Sequence, residues 1–189
     1  GILFASLLAE EFGGQVKAHE KFGTAVVLFP SGDRIDVAMT RFEHYVHPAA
    51  LPTVEQGSIK SDLYRRDFTI NSLAVKLNEE DAFCLLDFLD GERDIKNKEI
   101  NVLHDSSFFD DPCRLFRAIR FEQRYDFRIS PKTEALMRSA INQRMVDDLS
   151  GTRLLNEVIL ILKERCTLKY ILRMKDLNIL KFVSPQLID

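Results

Sequence analysis

The run from Asp62 to Ala74 constrains this chain more than any other stretch. Two adjacent arginines, Arg65 and Arg66, are followed by Asp67, then by the apolar residues Phe68 and Ile70, with Asn71 close behind. The pattern predicts a helix opening at Phe68 with Asp67 as its N-cap, because an aspartate there accepts the otherwise unbonded backbone N–H groups of the first turn. The positive end of that helix would lie beside Arg65 and Arg66, a place suited to phosphate. A plain capped helix carrying two solvated arginines fits the same residues.

The surrounding pattern is that of an α+β chain. Residues 1–12 read as an amphipathic helix stopped by Gly13 and Gly14. Gln15–His19 and Thr24–Phe29 read as strands, Ser31 to Asp33 as a turn, and Arg34–Thr40 as a returning strand, so that Phe22–Thr40 forms a β-hairpin. Pro48, Pro52 and Gly57 mark residues 44–58 as a loop. Short extended pieces are expected at 73–77 and 84–87, a turn at Asp90 and Gly91, and a strand at 100–103. From Asp105 the character is helical. Asp111 is placed to cap a helix with Pro112 at its first position, ending near Tyr125. Ser130 and Pro131 open a second helix, to about Asn142, and Ser150 opens a third, to Glu164. In the third, Leu154, Leu155, Val158, Ile159 and Leu162 are expected to form the buried stripe. Residues 166–182 suggest at least one more helix.

With 189 residues, 46% of them hydrophobic, the chain can build one large or two small cores. No apolar run approaches a membrane span and no signal-peptide pattern opens the chain, which points to the cytoplasm. Cys84, Cys113 and Cys166 are too scattered for a disulfide framework or a zinc site, and His44 and His47 are an isolated pair that reads as loop histidines. A net charge of −3 supplies no overall basic signature, so any nucleic-acid contact must come from a local patch. The chain opens directly in a helix without an initiator methionine and closes on helical patterning. It reads as an excised piece of a longer protein; its oligomeric state leaves no trace in the sequence.

Three further features bear on chemistry. Arg114, Arg117, Arg120, Arg124 and Arg128 project into an arc of roughly 120° at 100° per residue, with only Glu122 and Asp126 nearby to compensate them. Such a stripe is either a solvated face or a seat for a triphosphate or RNA backbone. Asp111 and Arg114 set a carboxylate beside a guanidinium, the complement of the amine and ring-nitrogen edge of adenine or cytosine. A capping aspartate with a local salt bridge fits equally. Asp36, between β-branched neighbours in a strand, is either solvent-facing or one ligand of a divalent-metal site. Arg153 and Glu157 are spaced as an ordinary helix-surface pair.

Together these stretches resemble the class II tRNA nucleotidyltransferases and bacterial poly(A) polymerases. Asp62–Ala74 resembles the family's motif B, and Leu86–Ile95 its motif C, with Asp90 where a glycine usually stands. Asp110–Phe121 resembles motif D, whose first position is more often Glu, and Ser150–Glu157 resembles motif E. The stretch from Pro48 to Lys60 is most similar to A-adding enzymes.

The resemblance implies a truncated polymerase-β-like nucleotidyltransferase head with a mixed sheet over residues 1–104. A helical neck would follow over 105–165, then the start of a helical body over 166–189. It implies template-independent addition of AMP, with CMP a second candidate, from ATP or CTP to the 3′ end of tRNA. The RNA hydroxyl would attack the α-phosphate with the help of two Mg²⁺ ions. By position, Arg66 would bind the triphosphate with Asn71 nearby, Asp111 and Arg114 would read the base, and Arg117 and Arg120 would complete the nucleotide site. Asp36 would be a third carboxylate near the metals. A complete CCA-adding enzyme, a poly(A) polymerase and a non-catalytic RNA-binding module are the alternatives.

The family's Gly-Gly phosphate loop and Asp-x-Asp metal pair lie upstream of the helix that opens this chain, and Asp33 and Asp36 have the wrong spacing for that pair. These 189 residues alone are therefore expected to incorporate no nucleotide. AMP or CMP addition to a tRNA in a radiolabel assay would contradict this.

Overall fold

The computed structural model describes residues 1–44, 53–78, 80, 82–184 and 186. The chain divides into two compact units, Gly1–His44 with Val54–Asp62, and a larger one built from Leu63 onward.

The smaller unit rests on the alternation of one strand. In β2 (Thr24–Leu28), Ala25 and Val27 fall on the same face and are buried. β1 (Gln15–His19) and β3 (Arg34–Ala38) flank it antiparallel, placing Lys17 and Asp36 on either side of Val26. The helix α1 (Ile2–Phe12) lays Ala5 and Ala9, one turn apart, over the buried face. It stops at Gly13, whose left-handed φ of 68° suits a residue without a Cβ. The first helix and the hairpin thus form where expected. Residues 44–58 differ. His47, Pro48 and Pro52 lie outside the described residues, but β5 (Thr53–Gln56) is a strand paired with β4 (Arg41–His44), not loop. Gly57 follows because a Cβ there would lie 2.7 Å from the Arg41 backbone.

In the larger unit the helix expected at Phe68 does not form. A short helix, α2 (Ile59–Tyr64), ends before the arginines. Phe68 is extended and bridges to Val102, and only a single 3₁₀ turn follows, Thr69–Asn71. The Asp67 carboxylate accepts the N–H of its neighbour Phe68 at 2.9 Å, whereas an N-cap reaches two or three residues on. The Thr69 N–H is meanwhile drawn to the carbonyl of Asn101 at 2.9 Å. No helix N-terminus remains there to hold phosphate.

A helix appears instead where a turn was expected, α3 (Gly91–Asn97). Asp87 supplies its start, accepting the N–H groups of Gly91 and Glu92 at 2.9 Å each. Asp90 just before it is left-handed at φ 59°, which accounts for the glycine more usual there. Gly91 has no room for a side chain, since a Cβ would meet the Thr69 carbonyl oxygen at 2.3 Å. Two short ladders complete the strands: β6 (Ala74–Val75) pairs antiparallel with β7 (Leu85–Leu86), and β8 (Glu99–Ile100) pairs parallel with β9 (Arg128–Ile129). The expected strand at 100–103 is thus reduced to its beginning.

The core is organised around α5 (Cys113–Tyr125), whose Leu115, Phe116, Ala118 and Ile119 are wholly buried. Around it stand α4 (Ser107–Asp110), α6 (Pro131–Asn142), α7 (Gly151–Leu162) and α8 (Thr167–Asp176). Phe68, Phe108, Met137, Ile161 and Met174 join the same cluster. Burial of each large side chain stabilises the fold by ~1.5–3 kcal/mol. Ser130 and Ser150 cap α6 and α7 as read, each accepting the N–H three residues on. The stripe expected on α7 is misplaced. Ile161 is buried and Leu154 partly so, but Leu155 and Leu162 are each 56% exposed. The helix is apolar over a wider arc than its neighbours cover, so periodicity alone did not settle its rotation. Several elements end on left-handed residues other than glycine, Lys98 after α3 and Asp126 after α5 among them. No helix among the described residues is long and apolar enough to cross a membrane.

One ionic network ties the helices. Arg173 on α8 reaches Glu122 on α5 at 2.8 Å and Glu134 on α6 at 2.5 Å, while Arg138 also meets Glu134 at 2.7 Å. The hydrogen bond from Arg173 lowers the Glu134 pKa against the upward pull of burial, and Arg138 adds to the lowering. A carboxylate with a depressed folded-state pKa stabilises above its ordinary value of 4.5, and that stabilisation fades as pH falls through the folded value. Glu134→Gln is therefore expected to cost about 1 kcal/mol near neutrality. Its urea midpoint should converge on that of the parent in acid; a gap that stays constant with pH would contradict the assignment.

Candidate nucleotide site

The site grows from the arginines of α5, and most of them are already bonded. Arg114 is 5% exposed; one Nη donates to Ser107 Oγ at 2.7 Å and the other to the Arg65 carbonyl at 2.8 Å. Arg117 Nε donates to Asp67 Oδ2 at 2.7 Å. Arg124 pairs with Glu164, and Arg128, which lies beyond the helix in β9, pairs with Glu99 at 2.7 Å. The stripe that looked poorly compensated within its own helix is balanced by acids and carbonyls from other elements, which local sequence cannot reveal. Arg120 is the exception: it is 7% exposed, and among the described residues its Nε has no partner. Burial lowers its pKa against the pull of Glu157. Glu157 on α7 mirrors it, with an unpartnered buried Oε2 and a pKa raised by burial despite Arg117 and Arg120.

Asp67 joins motif B to this helix. Its Oδ1 accepts the Phe68 N–H and the Asn71 side-chain amide, each at 2.9 Å, while Oδ2 holds Arg117. Arg66 is exposed and donates through Nη1 to the Asn71 carbonyl at 3.0 Å. Asn71 and Arg117 are therefore linked through one carboxylate, Arg66 joins them through the Asn71 main-chain carbonyl, and Arg114 is tied to the same stretch through the Arg65 carbonyl.

Asp111 stands one residue outside α5, with Pro112 between it and the first helical residue. It still acts as a cap, since Oδ1 accepts the Cys113 N–H at 3.0 Å. The same oxygen accepts Arg153 Nη2 of α7 at 2.7 Å. The side chains of Asp111 and Arg114 are not bonded to each other; each is held by a different partner. The Asp111 side chain is 21% exposed. Cys113 beside it is inert as a nucleophile, because burial and Asp111 push its thiol up to about 12.

Asp36 lies in the smaller unit, exposed and held by Arg34 at 2.6 Å. Among the described residues no group of three His, Cys, Asp or Glu side chains is placed to hold a metal ion. Asp36 therefore belongs to no such group among the described residues. Sequence reasoning missed Asp67 as a hub, having assigned it to capping, and missed Arg153, having assigned it to a pair with Glu157. The proximity of Asp67 to two arginines was the available signal for the first; nothing in the sequence pointed Arg153 at Asp111.

Known proteins arrange their chains in the same way. The family model described as the poly(A) polymerase head domain matches residues 2–101, and that described as a probable RNA and SrmB-binding site of polymerase A matches residues 126–189. An A-adding tRNA nucleotidyltransferase of Geobacter sulfurreducens is 56% identical over all of this chain, and one of Aquifex aeolicus is 42% identical over 86% of it. The chain spans only 21% and 20% of those relatives' lengths. Among solved structures, a CCA-adding enzyme in an apo form matches with a TM-score of 0.93 at 44% identity, covering 97% of this chain and 43% of that one. A Thermotoga maritima CCA-adding enzyme complexed with tRNA matches at 0.83 and 42% identity, over 98% of this chain and 42% of that one. The head-domain match, the shared fold and 56% identity along the whole of this chain place it in the poly(A) polymerase and tRNA nucleotidyltransferase family.

Proposed function

We propose that the protein carrying this chain is a template-independent nucleotidyltransferase that adds AMP, with CMP the second candidate, to the 3′ end of tRNA in the cytoplasm. Residues 1–104 serve as its head, 105–165 as a neck that recognises the nucleotide, and 166–189 as the start of its body. The observation that carries the reading is the single carboxylate of Asp67 gathering Arg117, Asn71 and, through Asn71, Arg66. It turns two distant motifs into one basic site of the kind a triphosphate requires.

Within that site the chain binds and orients. Arg66 and Arg117 face the phosphates, and Arg120, buried on the same helix, completes the nucleotide site. Asp111 Oδ2 accepts from the exocyclic amine of adenine or cytosine. Arg114 donates to the neighbouring ring nitrogen, for which it must exchange its bonds to Ser107 and the Arg65 carbonyl. Guanine and uracil present a carbonyl and a ring N–H on that edge and would leave both groups mismatched. The metal chemistry of the transfer would need Mg²⁺ ligands beyond Asp36. A non-catalytic RNA-binding module is favoured only by the match of residues 126–189 to an RNA-binding segment.

Turnover by the full-length protein on tRNAs ending before CCA, at C and at CC tests the reading and separates A-adding from CCA-adding activity; poly(A) polymerase activity would instead yield long tails. No addition to any of them would leave the binding module. Asp111→Ala and Arg114→Ala should each lose discrimination for ATP over GTP by ~1–3 kcal/mol, the value of a two-bond base contact, measured as a ratio of kcat/KM values. Unchanged preference would remove the base-reading role. Arg66→Ala should weaken triphosphate binding with the thermal midpoint nearly intact, because the side chain is exposed. Asp67→Ala should lower folding stability by ~2 kcal/mol or more, somewhat under the ~3–5 of a fully buried pair, since Arg117 keeps 33% of its side chain exposed. Equal stability losses in the two variants would show that Asp67 is no hub.

A further inference from the structure

A second cavity lies along α5 from the arginine cluster. It has a volume of about 260 Å³ and is lined by Ile70, Asn71, Ile95, Tyr125 and Phe127. Its walls come from the 3₁₀ turn after motif B, from α3 and from the end of α5, all within the larger unit. Tyr125 is 47% exposed, yet its ring is fixed, stacked on Phe121 at 5.8 Å and flanked by Phe127 at the same distance. Resting on the proposed RNA nucleotidyltransferase reading, the geometry points to this cavity as a slot for one nucleobase of the single-stranded RNA 3′ end, stacked on Tyr125.

Size, chemistry and charge choose that occupant. The volume falls just below the roughly 300–1,000 Å³ of pockets for drug-sized ligands, which suits a single base. Ring and branched aliphatic walls with one amide, Asn71, match a flat heteroaromatic ligand with a polar edge. Sequence-tolerant binding of single strands combines such a stacking ring with cations that follow the backbone. Cations are present on two sides. Arg66 donates to the Asn71 carbonyl, and the Arg117 guanidinium lies 5.2 Å from the centre of the Phe121 ring on which Tyr125 stacks. An apolar peptide side chain would gain nothing from these two arginines, whereas an RNA 3′ end must come up to the triphosphate that they face in the proposed reading. The incoming nucleotide is assigned to Asp111 and Arg114 at the other end of α5, which leaves this slot to the RNA.

The test uses the full-length protein and two probes: a fluorescent single-stranded RNA ending in CC, followed by anisotropy at fixed salt, and ATP. Tyr125→Ala should weaken RNA binding about tenfold and leave ATP binding within twofold, and Tyr125→Phe should restore RNA binding. Ile95→Trp, which fills the slot from α3 and leaves Tyr125 and its stack on Phe121 in the chain, should reproduce the loss if Tyr125→Ala folds poorly. RNA binding unchanged in both Tyr125→Ala and Ile95→Trp, with tRNA still extended, would overturn the slot alone. Parallel loss of RNA and ATP affinity would also overturn it, by making Tyr125 a support of the fold. A parent protein that neither binds nor extends the RNA would overturn the slot together with the functional reading beneath it.

Discussion

The two oxygens of Asp67 hold the candidate site together. One accepts the Phe68 N–H and the Asn71 amide, the other the Arg117 guanidinium. A carboxylate buried this deeply is tolerated only when it is satisfied on both sides. Meeting that condition forces the backbone after Arg66 out of a helical path and presses it against α5. The same contact lets Arg114 take the Arg65 carbonyl, so the arginine pair of motif B is positioned by the arginines of motif D. The arrangement of these arginines follows from satisfying a buried charge, with no helix dipole involved.

Packing around motif B obeys a second constraint. Thr69 gives its hydroxyl to Asp94 and its N–H to Asn101, and its carbonyl, which accepts from Ser72, lies where Gly91 has no room for a Cβ. Motifs B and C, separated in sequence, are thus locked by the Thr69–Asp94 hydrogen bond and by the close approach of Gly91 to the Thr69 carbonyl, while the Arg66 side chain is left exposed.

Where one side chain bonds its own local backbone, the sequence could be read. Ser130 with Pro131, and Ser150, announced α6 and α7 because each hydroxyl caps the turn that follows. Gly13 announced the end of α1 in the same way. The strand alternation of residues 24–28 was plain because one face is buried and the other is not. What failed depended on distant partners. Asp67 looked like a cap until Arg117 and Asn71 were there to compete for it. The helix α3 was hidden because its cap comes from Asp87, upstream of a left-handed Asp90 that mimics a turn. Its neighbours, not its periodicity, set the rotation of α7. Among the site residues, the resemblance named Arg66, Asn71, Asp111, Arg114, Arg117 and Arg120, but it was silent on what holds them in place.

The left-handed residues at the element ends carry a consequence for engineering. A residue with a Cβ in that conformation sits ~1–2 kcal/mol above what glycine would experience. Lys98 and Asn178 both occupy it, and neither lines the slot beside Tyr125 or belongs to the arginine cluster. The protein therefore holds back thermal resilience at points where its chemistry does not need it. A variant hardened for structural work on the intact enzyme could draw on those two corners and leave the nucleotide site untouched.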